Sequence, residues 1–179
     1  MKQKALLKKD VADADHFTGE MRKTRINLYL ISILLTVASA SCNRGTYYSD
    51  TVRMNEGQWS MYEPAVFACS FDDTVHLYDI NLSVRTSTSY PYRNLFLFIK
   101  TTFPSGLVTA DTIQAMLTDE KGKWLGRGAG DIRELTIPYK ADVYFPERGE
   151  YHFNVIQGMR DTTLKGIYDL GFRISRREK

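Results

Sequence analysis

Cys42 follows Ala38-Ser39-Ala40-Ser41, side chains small enough for a signal-peptidase cleft, and its thiol can take a lipid through a thioether bond. Arg22, Lys23 and Arg25 precede it, followed by the apolar stretch Ile26 to Val37. Basic residues, a short apolar core, small residues and then cysteine are the layout of a lipoprotein signal peptide at 21–41, with Cys42 the lipidated residue. A helix of twelve residues reaches about 18 Å, short of the ~30 Å hydrocarbon core, so the stretch is read as a cleaved signal and not as a span. The third residue before the cysteine, commonly Leu in such signals, is Ser39. Residues 1–20 are polar and mixed in charge, fit no part of a signal, and are read as a misassigned extension ahead of a start at Met21.

Few other side chains have the types and spacing that chemistry needs. His76 and His152 are isolated; His152, between Tyr151 and Phe153, is expected to face solvent, and His76, in phase with Tyr78, to cap a core face. His-x-x-x-His, Cys-x-x-Cys and Gly-x-Ser-x-Gly spacings do not occur in residues 42–179. Gly126-Arg-Gly-Ala-Gly130 resembles a dinucleotide fingerprint without a βαβ setting, so its glycines are read as a sharp bend and no nucleotide is expected. Asp72-Asp73, Asp119-Glu120 and Asp131 lack the spacing of a calcium loop and read as solvated turn carboxylates. No catalytic residue, metal site or cofactor is therefore expected. Trp59 and Trp124 are the candidate aromatic surface for stacking a glycan; the competing reading has them, with Tyr62, Tyr90 and Tyr92, plugging the ends of the core. The pair Asp-Thr occurs four times, ending on Thr51, Thr74, Thr112 and Thr162. A turn aspartate before a strand-opening threonine would explain it structurally.

The elements that must hold these residues are strands. From Val66 onward the pattern is β: Tyr78, Ile80, Leu82 and Val84 alternate with Asp79, Asn81, Ser83 and Arg85, and Tyr151, Phe153 and Val155 form a second inward set. Residues 94–100 form a nearly continuous apolar run, read as a strand covered on both faces or lying mid-sandwich. Residues 112–117 and 123–125 are read as a hairpin about 118–122, residues 167–174 as a last strand, and 161–165 as a single helical turn. Asn94, Asp131 and Arg173 stand beside apolar positions and are expected to satisfy buried backbone or one another. The fold class is all-β: one antiparallel β-sandwich at 59–176, jelly-roll or Ig-like, with a basic tail at 177–179. Residues 42–58 are read as the acylated N-terminus and a flexible tether, the part beyond Cys42 reaching at most about 50–58 Å.

Composition agrees. Of 24 basic and 21 acidic residues, seven and four lie in 1–41, leaving seventeen of each sign in the 138 residues from Cys42 on. A neutral body with interspersed charges has no footprint for nucleic acid. Cys69 is left without an intramolecular partner and reads as a small buried hydrophobe in AVFACSF.

The strings YRNLFLFI, FPSGLVTADTIQAMLTDEKGKWLGRGAGDI, IPYK and RGEYHFNVIQGMRDTTLKGIYDLGFRI give the chain a resemblance to the gliding-motility lipoprotein GldH family of Bacteroidetes. It covers Trp59 to Ile174 and rests on Asp111-Thr, Gly122-x-Trp124-Leu-Gly126, Gly130-Asp131, Gly149-x-Tyr151, Met159-Arg160, Gly166-Ile167 and Gly171-x-Arg173. The resemblance implies a lipid-anchored, non-enzymatic envelope protein that binds other Gld-type envelope proteins in gliding or type IX secretion-linked machinery, with its acyl chains in the membrane. A glycan-binding envelope lipoprotein is the alternative. The Asp-Thr pairs are also similar to the O-glycosylation motif of exported Bacteroidetes proteins, which makes Thr51, Thr74, Thr112 and Thr162 candidate acceptors. Asn43 to Tyr48 hold no acidic cluster of the kind that sends such lipoproteins to the cell exterior, so an outer-membrane anchor facing the periplasm is expected.

Overall fold

Period-two alternation dictates the strands, and the turn residues between them decide which sheet each one joins. The computed structural model describes residues 45–177. The expected extension, signal peptide, Cys42 and the last two residues of the tail lie outside the described residues. Ten strands follow in order: β1 (Thr46–Arg53), β2 (Gln58–Ser60), β3 (Ala65–Phe71), β4 (Tyr78–Ser87), β5 (Asn94–Thr102), β6 (Val108–Met116), β7 (Ile132–Val143), β8 (Gly149–Gln157), β9 (Thr163–Lys165) and β10 (Ile167–Arg176). One four-stranded sheet has the order β1-β10-β4-β7 and the other β3-β8-β5-β6, while β2 and β9 pair as a short ribbon. All pairings are antiparallel. Among the eight long strands the chain changes sheet at every connection except β5 to β6, which is the doubled Greek key of a jelly roll and not the Ig order.

The inner faces carry the residues that alternation predicts. Tyr78, Ile80, Leu82 and Val84 of β4 are buried, as are Tyr151, Phe153 and Val155 of β8. Rings lock the two sheets together: Phe172 of β10 stacks on Phe67 of β3 at 5.1 Å between centroids and meets Phe153 of β8 at 4.7 Å. Toward the other end Phe71, Tyr78, Phe145 and Tyr151 form a second aromatic cluster. With no disulfide among the described residues, stability rests on this burial, worth roughly 25 cal/mol per Å² of apolar surface.

Several expectations need correction. Thr46–Arg53, assigned to the tether, pairs with β10 residue by residue, with Tyr48 and Val52 turned to the core, so the sandwich begins at Thr46. Residues 132–143 form a strand that pattern alone did not reveal, because only Ile137 on it is fully buried. Residues 94–100 bury Leu95, Leu97 and Ile99 on one face only, leaving Phe98 exposed on the other. Residues 123–125 form no strand; Trp124 makes a single bridge to Thr118. Thr163–Lys165 is β9 in place of a helical turn, because its backbone is claimed by β2. Arg177 is no free tail: its guanidinium pairs with Asp142 and lies near Asp79.

Candidate functional site

Trp59 is 1 % exposed, held between β2 and the core with its indole N–H donating to Glu63 O at 3.0 Å, so it is no part of a binding surface. Trp124 is half-buried against the core. Three residues of β2 are too few for alternation to show that Trp59 points inward. Tyr90 is buried and donates to Asn94 O, while Tyr92 donates to Asp161 at 2.6 Å. Trp59 and Tyr90 thus plug the sandwich ends and Tyr92 and Trp124 pack partly against the core, whereas Tyr62 is no plug and stands 78 % exposed in the turn after β2.

The candidate ionisable groups are tied into local turns. Asp73 accepts the N–H groups of Val75 and His76 and pairs with the His76 ring at 2.8 Å, so His76 closes a turn instead of capping the core. These bonds hold the Asp73 carboxyl down at about 2. Asp119 Oδ1 accepts from Lys121 N and Lys123 N, shaping the loop after β6. His152 faces solvent beside Glu150. Asn94 is half-buried and Asp131 and Arg173 are exposed, with the Arg173 guanidinium donating to Thr46 Oγ1 at 2.8 Å across the β1–β10 pair. Burial falls instead on Gln157, whose amide bonds Asp161 O and Met159 N and so sets the 157–161 loop. Burial pushes the Cys69 thiol up to about 12. Among the described residues no group of three or more His, Cys, Asp or Glu is placed to hold a metal ion. Of the threonines, Thr51, Thr112 and Thr162 are exposed and Thr74 is half-buried in the turn before β4.

Gly126 and Gly128 lie where two backbones touch. Arg127 N and O bond Glu134 O and N at 2.9 and 2.7 Å, and a Cβ on Gly126 would stand 2.7 Å from Glu134 O. The glycines therefore permit the expected bend by close approach, with no need of a special backbone angle at either position.

Two surfaces remain once these local roles are removed. The outer face of β1-β10-β4-β7 is a polar trough of about 490 Å³. Its floor is the cross-strand row Thr51, Gly171, Ser83 and Thr136. Beside it runs a row of alternating charge, Arg53, Asp169, Arg85 and Glu134, in which Arg85 reaches the nearly buried Asp169 carboxylate at 2.5 Å. Opposite charges in such positions favour the pairing. The trough offers hydrogen bonds but no histidine to act as base. Sequence reading missed it because its residues come from four strands, two of them unread; the alternation of Asp169, Gly171 and Arg173 was the available signal.

The outer face of β3-β8-β5-β6 differs in carrying an apolar patch, next to which Lys100, His152 and Asn154 stand on the same face. Phe98 is 48 % exposed, Val66 47 % and Met116 44 %, with Phe96 and Ile156 partly exposed beside them. At the rim between β6 and β7, Asp111 accepts from Tyr139 at 2.5 Å and pairs with Lys140 at 2.8 Å. These bonds lower the Asp111 carboxyl, while desolvation, followed by the bond to Asp111, raises the hydroxyl of the half-buried Tyr139. Beneath the rim lies a cavity of about 130 Å³ lined by Thr109, Phe103, Tyr139 and Tyr144 among others.

Comparison with known proteins agrees with this build. Residues 46–174 match the family model described as GldH lipoprotein. The chain is similar to a gliding motility lipoprotein GldH homolog of Christiangramia forsetii, 33 % identical across 82 % of this chain and 93 % of that one. It is also similar to the gliding motility lipoprotein GldH of Flavobacterium johnsoniae, 28 % identical across 83 % and 96 %. A CocE/NonD family hydrolase of Staphylococcus aureus superimposes with a TM-score of 0.40 at 12 % identity over 75 % of this chain and 34 % of that one, a likeness from which nothing is inferred.

Proposed function

The chain belongs to the GldH lipoprotein family, and on that footing we propose that it is a non-enzymatic, protein-binding component of gliding or type IX secretion-linked machinery. The observation that carries this reading is the apolar patch of Phe96, Phe98, Met116 and Ile156 on the outer face of β3-β8-β5-β6, with Phe98 standing half out of the sheet. Soluble domains seldom leave contiguous apolar surface unless something covers it. The surroundings favour another envelope protein as that cover, since the groups able to do acid–base work are spent in turns and rims. Glycan binding is weakened by the burial of Trp59, one of its two candidate rings.

Lipidation at Cys42 supplies the membrane attachment, and two or more acyl chains hold it stably where one is marginal. Because β1 begins at Thr46, the chain from Cys42 can extend only about 13–14 Å before entering the sandwich, far less than a tether to residue 58 would allow. The anchor is assigned to the outer membrane, facing the periplasm; protease shaving of intact cells that removes the body would contradict that. Thr51, Thr74, Thr112 and Thr162 stand as O-glycan acceptors, to be read by intact mass of the native protein, where absence of added hexose mass ends the idea.

The test of function is in-cell crosslinking followed by pull-down of the lipid-anchored protein. One or more envelope proteins should be enriched, and Phe98→Glu should reduce their yield at least about fivefold with the melting temperature unchanged. Recovery of polysaccharide alone, or of no envelope protein, overturns the reading.

A further inference from the structure

A jelly roll has four sheet edges, and each exposes a row of backbone N–H and C=O groups able to pair with another strand. Two of the four are obstructed along their length here, and a third is interrupted near one end. The β3 edge is covered from β1: the Tyr47 hydroxyl donates to Ser70 O at 2.8 Å, and the Tyr48 hydroxyl lies against the Ala68 backbone. The β1 edge carries a register break at Thr46/Tyr48. The β7 edge carries Pro138, a left-handed Asp142, register breaks against β4 and the Arg127 bridge across Glu134.

The fourth edge, β6, has none of these devices. It runs nine residues in unbroken register with β5, from Asn94↔Met116 to Thr102↔Val108. It contains no proline and no lysine, and its one charge, Asp111, is turned away onto Tyr139 and Lys140. Among the described residues, no backbone group beyond β5 bonds to residues 108–116. A flat, unguarded edge of this length either aggregates or serves as a template.

We propose that β6 is a strand-addition site, and that its occupant is an extended segment of another envelope protein bearing a large apolar side chain. This rests on the protein-binding reading above and names where and how the partner attaches. The apolar requirement comes from the cavity beneath the rim, which opens beside Thr109 on the core-facing side of β6. A strand laid along β6 continues the sheet, and its inward side chain opposite Thr109 meets that opening. A second copy of this chain fits less well. The antiparallel self-pairing that uses all nine residues, centred on Thr112, sets Ala115 opposite Thr109, and a methyl group leaves a space of about 130 Å³ unfilled; the shift that brings Ile113 there sets Asp111 against Asp111. Outward side chains of the added strand would lie beside Val108, Thr112 and Met116, extending the apolar face that Phe98 begins.

The experiment compares amide hydrogen exchange of the lipid-anchored protein, solubilised in mild detergent, with and without the envelope protein that co-purifies on it. Strand addition slows exchange at 108–116 at least about tenfold and protects one continuous segment of the partner. Ala110→Lys together with Thr112→Lys, which place charge on the edge without touching the core, should lower partner recovery at least tenfold at an unchanged melting temperature. Thr109→Phe, filling the cavity from within the chain, should do the same. If a partner co-purifies but 108–116 exchange as before and the variants bind normally, strand addition is overturned while the protein-binding reading stands. If no envelope protein co-purifies, both fall. Protection of 108–116 that appears in the protein alone as its concentration rises assigns the edge to a second copy and also overturns the proposal.

Discussion

Phe172→Ala against Phe98→Ala tests which face of each sheet forms the core, and the two differ in a way that arithmetic can separate. Phe172 is 1 % exposed and touches rings in the opposite sheet, Phe67 at 5.1 Å and Phe153 at 4.7 Å, with Tyr48 at 6.5 Å from its own. Removing a fully buried phenylalanine costs about 3–5 kcal/mol in transfer and cavity terms. Two close ring pairs, each worth about 0.5–1.5 kcal/mol beyond area, place this site toward the upper end, about 4–5 kcal/mol. Phe98 leaves nearly half its surface in water and no closed cavity behind it, so its loss should cost about 1 kcal/mol or less. Urea unfolding followed by tryptophan fluorescence measures both. With a slope near 2 kcal/mol per M, Phe172→Ala should lower the midpoint by about 2 M and Phe98→Ala by about 0.5 M, with slopes unchanged. A cost below about 2 kcal/mol at Phe172, or equal costs at the two sites, would refute the assignment of inner and outer faces. Should Phe172→Ala fail to fold, Phe172→Leu, which keeps most of the volume, still separates the cases at about 1–2 kcal/mol.

Gly128→Ala should destabilise by about 2–3 kcal/mol, because its Cβ would meet Ile132 O and the backbone there cannot yield; Gly106→Ala, with open space around it, should cost only its left-handed backbone, about 1 kcal/mol, and thermal melts will show the ranking. Cys69, with its thiol raised to about 12 by burial, should stay unlabelled by iodoacetamide at pH 8 in the folded protein and react on unfolding, as mass spectrometry would record; labelling without unfolding defeats the core assignment. Asp73 titrates near 2, below the unfolded value of about 3.9, so its contribution to the β3–β4 turn is present above pH 4 and lost as pH falls through 2. Carboxyl carbon shifts followed by NMR should give that midpoint, and Asp73→Asn should loosen the amides of Val75 and His76; a midpoint near 4 rejects the capping role.

The strands legible in the sequence were those with one buried and one wet face. β8 alternates throughout and β4 as far as Thr86, and their inward residues are buried as the period requires. The long strands that escaped, β1 and β7, are both sheet edges. An edge strand half-covers its inner residues, so Tyr48 and Val52 on β1 and Leu135 and Tyr139 on β7 pass for scattered hydrophobes in polar surroundings. Pro138 hid β7 further, since proline argues against a central strand but is admissible at an edge. The trough could not be read for the same reason: its rows exist only once β1 and β7 are known to flank β10 and β4. The jelly-roll order was likewise a matter of which strands neighbour one another, about which local periodicity is silent.

What the missing edges concealed is that the two outer faces differ, one polar throughout and the other carrying an apolar patch. Outward positions on β10 and β4 are filled by Asp169, Gly171, Arg173, Ser83 and Arg85, groups that satisfy one another across the strands and lose little by staying in water. Outward positions on β5 and β8 include Phe96, Phe98 and Ile156, which gain nothing from water, alongside the polar Lys100, Asn154 and His152. A domain stabilised by its core alone has no need of that second arrangement, because polar residues at those positions would hold the same strands at no cost to the interior. The apolar patch also adjoins β6, a long edge with no proline, lysine or bulge in it and, unlike β3, no tyrosine laid across it. An exposed apolar patch and an unguarded edge are each a liability in isolation. Side by side they form one continuous surface, on which a partner strand would gain backbone hydrogen bonds from the edge and side-chain burial from the face in a single docking event.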